Sequence, residues 1–150
     1  MMDFDEFAKF LAGSDKRVRP ELEADAVKIG EIQKRIAVDM IGRENPKWPP
    51  LAESTVEEKT HLGYVGHVSA TDPLLRVGTL RDSIEIEIEP TPLGVEIVLG
   101  SHDRIAVYQE LGTSTIPARP FLATATLESM APAAKILGQT AVDLLVPKGP

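Results

Sequence analysis

The stretch Ser83–Glu89 has the sequence SIEIEIE, in which isoleucine and glutamate alternate without interruption. Successive side chains of an extended chain point to opposite faces, so the isoleucines share one face and the glutamates share the other. The glutamates are Glu85, Glu87 and Glu89. This period predicts a half-buried β-strand with one face on a core and an acidic face toward solvent or a partner.

A second strand is predicted directly after the first. Residues 90–94, PTPLG, have the composition of a turn, and Val95, Ile97 and Leu99 supply the apolar face of a returning strand. Val98 interrupts the polar face of this second strand, which favours burial of both of its faces. Gly100 ends the strand. The sequence therefore predicts an antiparallel hairpin.

Helical patterns precede the hairpin. Asp3 and Glu6 stand in capping-box positions for a short helix over residues 3–11, and residues 13–19 are interpreted as a linker. Pro20 suits the first turn of a long helix that Gly42 ends. Its apolar positions recur at steps of three or four and are Leu22, Ala26, Ile29, Ile32, Ile36 and Met40.

The middle of the chain alternates between proline-rich and helical segments. Three prolines exclude a helix over residues 45–51. Ser54 and Glu57 form a capping-box pattern for a third helix that Gly63 ends, and residues 64–73 are predicted to be an exposed loop.

The last third of the chain is predicted to be mostly helical. Residues 104–111 fit a short helix or a strand, and residues 112–120 form a loop. Residues 121–145 are helical in composition, with Pro132 producing either two helices or one kinked helix. The whole chain, 1–150, is predicted to be a single α+β domain. A long helix from the N-terminal half and a C-terminal helix pack on an antiparallel sheet, and residues 1–19 are interpreted as a mobile arm.

Composition excludes several classes of protein. The 150 residues include no cysteine, which excludes disulfide scaffolds and thiol-based sites. The formal charge of −7 argues against a protein whose task is to neutralise phosphates. No stretch reaches the ~18 apolar residues of a membrane span, and the acidic N-terminus is unlike a secretory signal. A soluble, reduced, intracellular setting is the simplest expectation.

No catalytic or metal-binding pattern stands above chance. The three histidines, His61, His67 and His102, lack metal-ligand spacing, and no GxSxG turn accompanies Ser83, His102 and Asp103 as a triad. Residues 112–115, GTST, lack the spacing of a phosphate loop. Lys16, Arg17 and Arg19 are too few for a nucleic-acid footprint. We therefore expect no enzyme activity, no metal and no cofactor.

The acidic strand face has three interpretations. Its carboxylates lie about 6.5–7 Å apart on one side of a strand, within the range of some glycosidase pairs. Acidic side chains more commonly keep a sheet surface soluble and discourage non-native pairing. A wall facing like-charged DNA is the third interpretation.

Several blocks between Trp48 and Leu122 resemble phage virion morphogenesis proteins of the tail-completion type, and the related neck proteins of long-tailed phages. The blocks are WPPL at 48–51 with Thr55 and Lys59, PLL at 73–75, GTLRDSI at 78–84, VLGS at 98–101 with Ala106, ELGT at 110–113 and PARPFL at 117–122. Together they span about half of the chain, in the family's order.

The resemblance implies a structural protein of the virion, made in the host cytoplasm. Such proteins form cyclic oligomers, often hexamers, between the head connector on the portal side and the tail tube or its terminator. DNA passes through the ring without specific binding, and Glu85, Glu87 and Glu89 are hypothesised to line that channel. The alternatives are a tail-terminator ring and, as a different class, a small phage-encoded enzyme or regulator.

The resemblance also implies a set of interface or structural residues. They are Trp48, Leu51, Gly78, Leu80, Gly112, Pro117, Arg119, Pro120 and Phe121. Arg119 offers a fork of donors to a carboxylate or to several carbonyls, either within its own subunit or across to the next. Trp48 is correspondingly a core residue or an interface anchor. Phe121 and Leu122 are expected to fix the following helix on the sheet.

Overall fold

The computed structural model describes residues 3–63 and 69–145, which contain seven helices and one two-stranded antiparallel sheet. The elements are α1 Phe4–Ala12, α2 Ser14–Met40, α3 Glu53–His61, α4 Thr79–Asp82, β1 Ile84–Thr91, β2 Gly94–Ser101, α5 Arg104–Leu111, α6 Leu122–Glu128 and α7 Met130–Leu145. Helix α2 packs on both strands, α6 contacts β2, and α6 and α7 pack against α2. The predicted α+β class is confirmed.

The hairpin forms as predicted, with a tighter turn. Ile86 lies opposite Leu99 and Ile88 opposite Ile97, so the apolar side chains share the face that packs on α2. The strands continue through Pro90 and Thr91 and leave only residues 92 and 93 as the turn. Val98 lies on the outer face and is 39% exposed, so the predicted cover on both faces of β2 is wrong for the described chain.

A glycine sets how closely α2 approaches the hairpin. A Cβ atom on Gly30 would lie 2.8 Å from the Cδ1 atom of Ile86 and 3.4 Å from the Cγ2 atom of Ile97. Glycine in a helix interior costs about 1 kcal/mol relative to alanine. Here its missing side chain permits the close packing of helix and sheet.

The core lies where the last turns of α2 meet β1, α5 and α6. Its buried apolar residues are Ala37, Ile41, Leu80, Ile84, Ala106, Phe121 and Ala125. Phe121 is completely buried and is among the largest fully buried side chains of the described chain. The prediction that Phe121 fixes the following helix is therefore confirmed.

The predicted linker at residues 13–19 is wrong. Helix α2 already begins at Ser14, so Pro20 lies inside the helix rather than in its first turn. Arg17 stabilises these extra turns, because it donates a 2.7 Å hydrogen bond to the carbonyl of Phe10 and stacks 3.9 Å from the centre of that ring. Arg19 donates a long 3.4 Å hydrogen bond to the Thr91 carbonyl at the hairpin turn. Residues 14–19 therefore belong to α2, not to a separate arm.

Helix ends follow the sequence in most places. The Asp3–Glu6 capping box is confirmed, with reciprocal bonds of 2.8 and 3.0 Å between backbone N–H groups and carboxylates. Gly42 and Gly63 follow their helices with positive φ angles of 87° and 59°. The cap predicted at Ser54 is wrong, because the N-cap residue of α3 is Ala52, two positions earlier, and the helix has no side-chain cap.

The predicted exposed loop is described only in part. Residues 64–68 lie outside the described residues. Pro73 at its end is buried, contrary to the prediction, and its carbonyl accepts a 3.0 Å hydrogen bond from the Gly42 N–H. This bond attaches the loop to the end of α2.

The sequence left two choices open in the last third of the chain, and the structure decides both. Residues 104–111 form helix α5, with the Asp103 side chain accepting from the Ile105 N–H. The C-terminal segment forms two helices that separate at Ser129. Pro132 lies in the first turn of α7, where its missing N–H costs no helical bond.

A buried carboxylate fixes α7 against α2. Asp25 is fully buried, and its two oxygens accept hydrogen bonds from Lys28 of the same helix and from Thr140 of α7. Burial acts to raise the pKa of the Asp25 carboxyl, but the two hydrogen bonds outweigh it and hold the pKa below its ordinary value of 3.8.

We expect the replacement Asp25→Asn to destabilise the protein by about 1 kcal/mol at neutral pH, because the amide keeps the shape but loses the charge. A folded-state pKa below 3.8 means that the carboxylate's contribution is complete above pH 3.8. It is lost as the pH falls through the folded-state pKa. Urea unfolding at several pH values measures this difference, with Asp39→Asn on the exposed face of α2 as the control. A penalty that persists unchanged at pH 3 would contradict the assignment.

Candidate functional site

Arg119 connects the first and the last of the resembling sequence blocks, WPPL at 48–51 and PARPFL at 117–122. Its guanidinium donates hydrogen bonds of 3.3 and 3.0 Å to the Pro49 carbonyl and of 3.1 Å to the Pro50 carbonyl. The residue is 4% exposed. Of the two sequence alternatives, the structure places Arg119 on backbone carbonyls of its own chain.

The partners of Arg119 are neutral. Within the part of the chain that the structure describes, no carboxylate lies within 4.0 Å of its guanidinium. Burial lowers the pKa of the Arg119 guanidinium, and an arginine stays charged despite such a shift. A buried charge needs hydrogen-bond partners, which the two proline carbonyls supply. The geometry therefore joins two loops rather than forming a catalytic ion pair.

The backbone of Arg119 makes a second connection. Its N–H donates a 2.6 Å hydrogen bond to the Gln109 carbonyl in α5. The Oε1 atom of Gln109 is buried and has no hydrogen-bond partner among the described residues. Arg119 thus joins the Trp48–Pro50 segment to helix α5.

Glu110 caps helix α6, a role that the sequence analysis missed. Its carboxylate accepts hydrogen bonds of 2.8 Å from the Phe121 N–H, 2.9 Å from the Leu122 N–H and 2.9 Å from the Ala123 N–H. Helix N-termini leave such N–H groups unpaired and favour negative charge. Phe121 occupies the N-cap position with a side chain that cannot accept a hydrogen bond, so the acceptor has to come from another part of the chain, and no local sequence pattern identifies it as Glu110.

We expect Glu110→Gln to lower the free energy of unfolding by about 1–2 kcal/mol, since the amide loses the charge and one of its two acceptor atoms. Chemical denaturation measures the loss. Glu128→Gln, at the opposite end of α6, removes the same charge from an exposed side chain and is expected to change stability by less than about 0.5 kcal/mol. Equal effects of the two replacements would rule out the capping role.

Gly112 is required by the turn that follows α5. Its φ angle is +75° with ψ at 175°, and a Cβ atom there would lie 2.8 Å from the Ala118 nitrogen and 2.9 Å from the Ile116 carbonyl oxygen. This conformation is essentially restricted to glycine. The glycine lets the loop fold back so that Arg119 reaches its partners.

Three backbone N–H groups in residues 113–116 donate hydrogen bonds within the loop itself. The N–H of Thr113 donates to the Ile116 carbonyl at 2.8 Å, and those of Thr115 and Ile116 donate to the Thr113 hydroxyl. The loop is a turn, as predicted, and these three donors stabilise it.

Trp48 and Leu51 line an open groove beside this junction. The groove has a volume of about 510 Å³ and is bordered by Pro46, Pro49, Pro50 and Val56. Trp48 is half-buried and packs against the core. It therefore contributes to the core and also presents a surface, which leaves both sequence interpretations of Trp48 in place.

The remaining predicted residues support the same unit. Leu80 lies in the core at 4% exposure, and Gly78 precedes α4 with a φ angle of 90°. Pro117 is exposed and Pro120 half-buried, on either side of Arg119.

Lys59 of α3 is buried and donates a 2.6 Å hydrogen bond to the Asp72 carbonyl. Burial lowers the pKa of its ammonium group.

The candidate triad does not assemble. The Ser83 hydroxyl bonds the Ser101 hydroxyl at 2.6 Å and the Leu80 carbonyl at 2.7 Å, while the His102 imidazole bonds Glu85 at 2.7 Å. Asp103 caps α5 instead of orienting a histidine. Ser83 therefore links two resembling blocks through Ser101.

Glu85, Glu87 and Glu89 lie exposed on the outer face of the hairpin. The strand register adds Glu96 directly opposite Glu89. Like charges at facing positions of a sheet are mutually destabilising. The hairpin thus presents a concentrated acidic surface on the side away from α2.

Residues 3–63 and 69–145 contain no group of three histidine or acidic side chains arranged to hold a metal, and no helix in these ranges combines the length and apolarity of a membrane span. His67 lies outside the described residues.

Comparisons with protein families, with curated proteins and with solved structures gave no match to this chain.

Proposed function

We propose that this protein is a structural component of a phage virion, a neck or tail-completion protein that forms a ring between the capsid connector and the tail tube. Its partners are further copies of the same chain, the head connector proteins and the tail tube or its terminator. It works by shape, without a cofactor or a chemical reaction.

The observation that carries the proposal is that the resembling blocks meet in space. Arg119 of PARPFL binds the carbonyls of WPPL, and Glu110 of ELGT caps the helix that PARPFL begins. Ser83 of GTLRDSI bonds Ser101 of VLGS. Blocks that are separated in sequence are therefore joined by specific contacts into one structural unit, which is what the resemblance requires.

The exposed apolar surface of the chain also supports an assembly role. Ile105, Val107, Tyr108 and Leu111 of α5 and Met130 and Leu145 of α7 are 40% to 74% exposed. Contiguous exposed apolar surface on a protein usually marks an interaction site. A protein that assembles with its own copies requires such surfaces.

The acidic hairpin face fits a channel for DNA. A lumen that passes DNA without retaining it repels phosphates, and Glu85, Glu87, Glu89 and Glu96 form one negative surface. In the assembled ring we expect this surface to face the channel. A ring structure that places these carboxylates on its outer rim would contradict this part of the proposal.

Mass measurement under native conditions tests the proposal on the purified chain. A uniform closed oligomer supports a ring-forming structural protein. A monomer that turns over a substrate would instead favour the small enzyme. The measurement is repeated with the head connector protein added, because a ring of this chain can require that neighbouring protein in order to assemble.

A further inference from the structure

The open groove beside Trp48 is lined mainly by apolar side chains. Its volume of about 510 Å³ lies within the range of about 300–1,000 Å³ for sites that enclose small ligands, so it suits a few residues of extended chain rather than a folded partner. Glu44 is the single charged residue among the described residues that line it. We call this surface the Trp48 groove.

The backbone around the Trp48 groove is largely occupied by bonds within the chain. Four of the lining residues are prolines, which have no N–H group, and they are Pro46, Pro49, Pro50 and Pro73. The carbonyls of Pro49 and Pro50 accept from Arg119. The carbonyl of Pro73 accepts from the Gly42 N–H. A ligand of this groove is therefore held mainly by side chains.

Two polar groups of the groove have no partner in the described chain. The indole N–H of Trp48 makes no hydrogen bond there, and the carboxylate of Glu44 makes no ion pair. An indole N–H is a donor only, and an ionised carboxylate is an acceptor only. The groove therefore fits a ligand that combines an apolar body with a carbonyl for the indole and a cation for the carboxylate.

Residues 146–150, VPKGP, have this chemistry in sequence and lie outside the described residues. Pro147 and Pro150 have the PxxP spacing of segments that dock in grooves built around aromatic side chains. A residue that precedes a proline favours extended backbone, which applies to the first and fourth positions of the segment. Lys148 supplies the cation. The segment therefore matches the Trp48 groove in shape, polarity and charge.

The segment that follows α7 is too short to reach the groove of its own copy. Helix α7 starts after α6, whose Ala125 packs at the end of α2, and by Thr140 it has reached Asp25. It therefore runs toward the beginning of α2, whereas the groove follows the end of α2. From Asp25 to Met40 helix α2 is about 22 Å long, while five extended residues span at most about 18 Å. Residues 146–150 can thus enter only the groove of another copy.

We infer that residues 146–150 of one copy bind in the Trp48 groove of another copy, with Lys148 beside Glu44. The inference rests on the proposed assembly of identical chains and names one contact within it. The prolines pack on Trp48, and a backbone carbonyl of the segment accepts from the free indole N–H.

Cross-linking tests this contact, because the chain has no cysteine. Full-length Pro46→Cys, at an exposed position of the groove, is mixed with full-length Gly149→Cys and mildly oxidised. Leu93→Cys, at the fully exposed hairpin turn, takes the place of Pro46→Cys in the matched control. An affinity tag on one variant separates mixed dimers by mass, and circular dichroism checks that each variant keeps the wild-type fold.

Mixed dimers of Pro46→Cys with Gly149→Cys are expected to form several times faster than those of Leu93→Cys with Gly149→Cys. Adding Lys148→Glu to the Gly149→Cys chain is expected to slow the cross-link about fivefold, the upper range for an exposed ion pair. Adding Glu44→Lys to the Pro46→Cys partner of that chain restores the opposite charges and is expected to restore the rate. Rates equal to the Leu93→Cys control, or insensitivity to both charge changes, would overturn the inference and leave the groove to another occupant.

The outcome is separable from the proposed function. A uniform closed oligomer that lacks this cross-link contradicts only the contact. A chain that forms the cross-link but is absent from phage particles contradicts only the virion role.

Discussion

Replacing Gly112 by alanine is expected to destabilise the protein by about 3 kcal/mol or more, among the largest effects of any single substitution in this chain. The backbone there has a φ angle of +75°, which alanine adopts only under strain. A Cβ atom would also approach the backbone nitrogen of Ala118 to 2.8 Å, and backbone atoms cannot move aside as a flexible side chain can. Relief of the clash moves the loop that carries Arg119.

Thermal and urea unfolding measure this effect. Gly100→Ala is the control, because no atom lies within 4 Å of its hypothetical Cβ, and we expect it to change stability by less than about 0.5 kcal/mol. If Gly112→Ala were as mild as Gly100→Ala, the turn described here would be wrong.

Replacing Phe121 by alanine is expected to cost about 3–5 kcal/mol, the range for a buried phenylalanine whose removal leaves a cavity. Phe121 is fully buried at the meeting point of α2, β1, α5 and α6. Its N–H also belongs to the group that Glu110 caps. The substitution therefore removes core packing at the base of the capped helix.

Denaturant midpoints of Phe121→Ala and Phe121→Leu measure the cavity contribution, with the leucine variant expected to lose less than about 2 kcal/mol. Leu127→Ala on α6, at a position 66% exposed, is the control and should be nearly neutral. A loss at Phe121 no greater than that at Leu127 would show that Phe121 is not the centre of the core.

Local patterns predicted the elements that one dominant periodicity determines. The alternation in SIEIEIE specified the hairpin and its buried face, because a strand has period two. The long helix followed from apolar residues at steps of three and four, and the Asp3–Glu6 cap from residues three apart. In each case the interacting residues are neighbours in sequence.

Errors occurred where contacts between distant segments overrode a local signal. Pro20 indicated a helix start, but the stacking of Arg17 on Phe10 accompanies two further turns before it. Pro73 was predicted to lie in an exposed loop but is buried, and its carbonyl accepts a hydrogen bond from the Gly42 N–H. The turn at residues 92 and 93 is shorter than predicted, since pairing of the strands continues through Pro90.

The sequence indicated which residues belong to the candidate site, but it did not indicate which of them contact one another. The donor fork of Arg119 indicated that it would bind a carboxylate or carbonyls, and the structure selects Pro49 and Pro50. The cap by Glu110 acts across eleven positions or more, a separation that no local pattern encodes.

The most direct test of the virion role is electron microscopy of phage particles assembled with and without this protein. With it present, the account predicts joined heads and tails with a ring of this chain at the junction. Without it, the account predicts filled heads and separate tails. Infectious particles with firmly attached tails that lack the chain would contradict the role proposed for it.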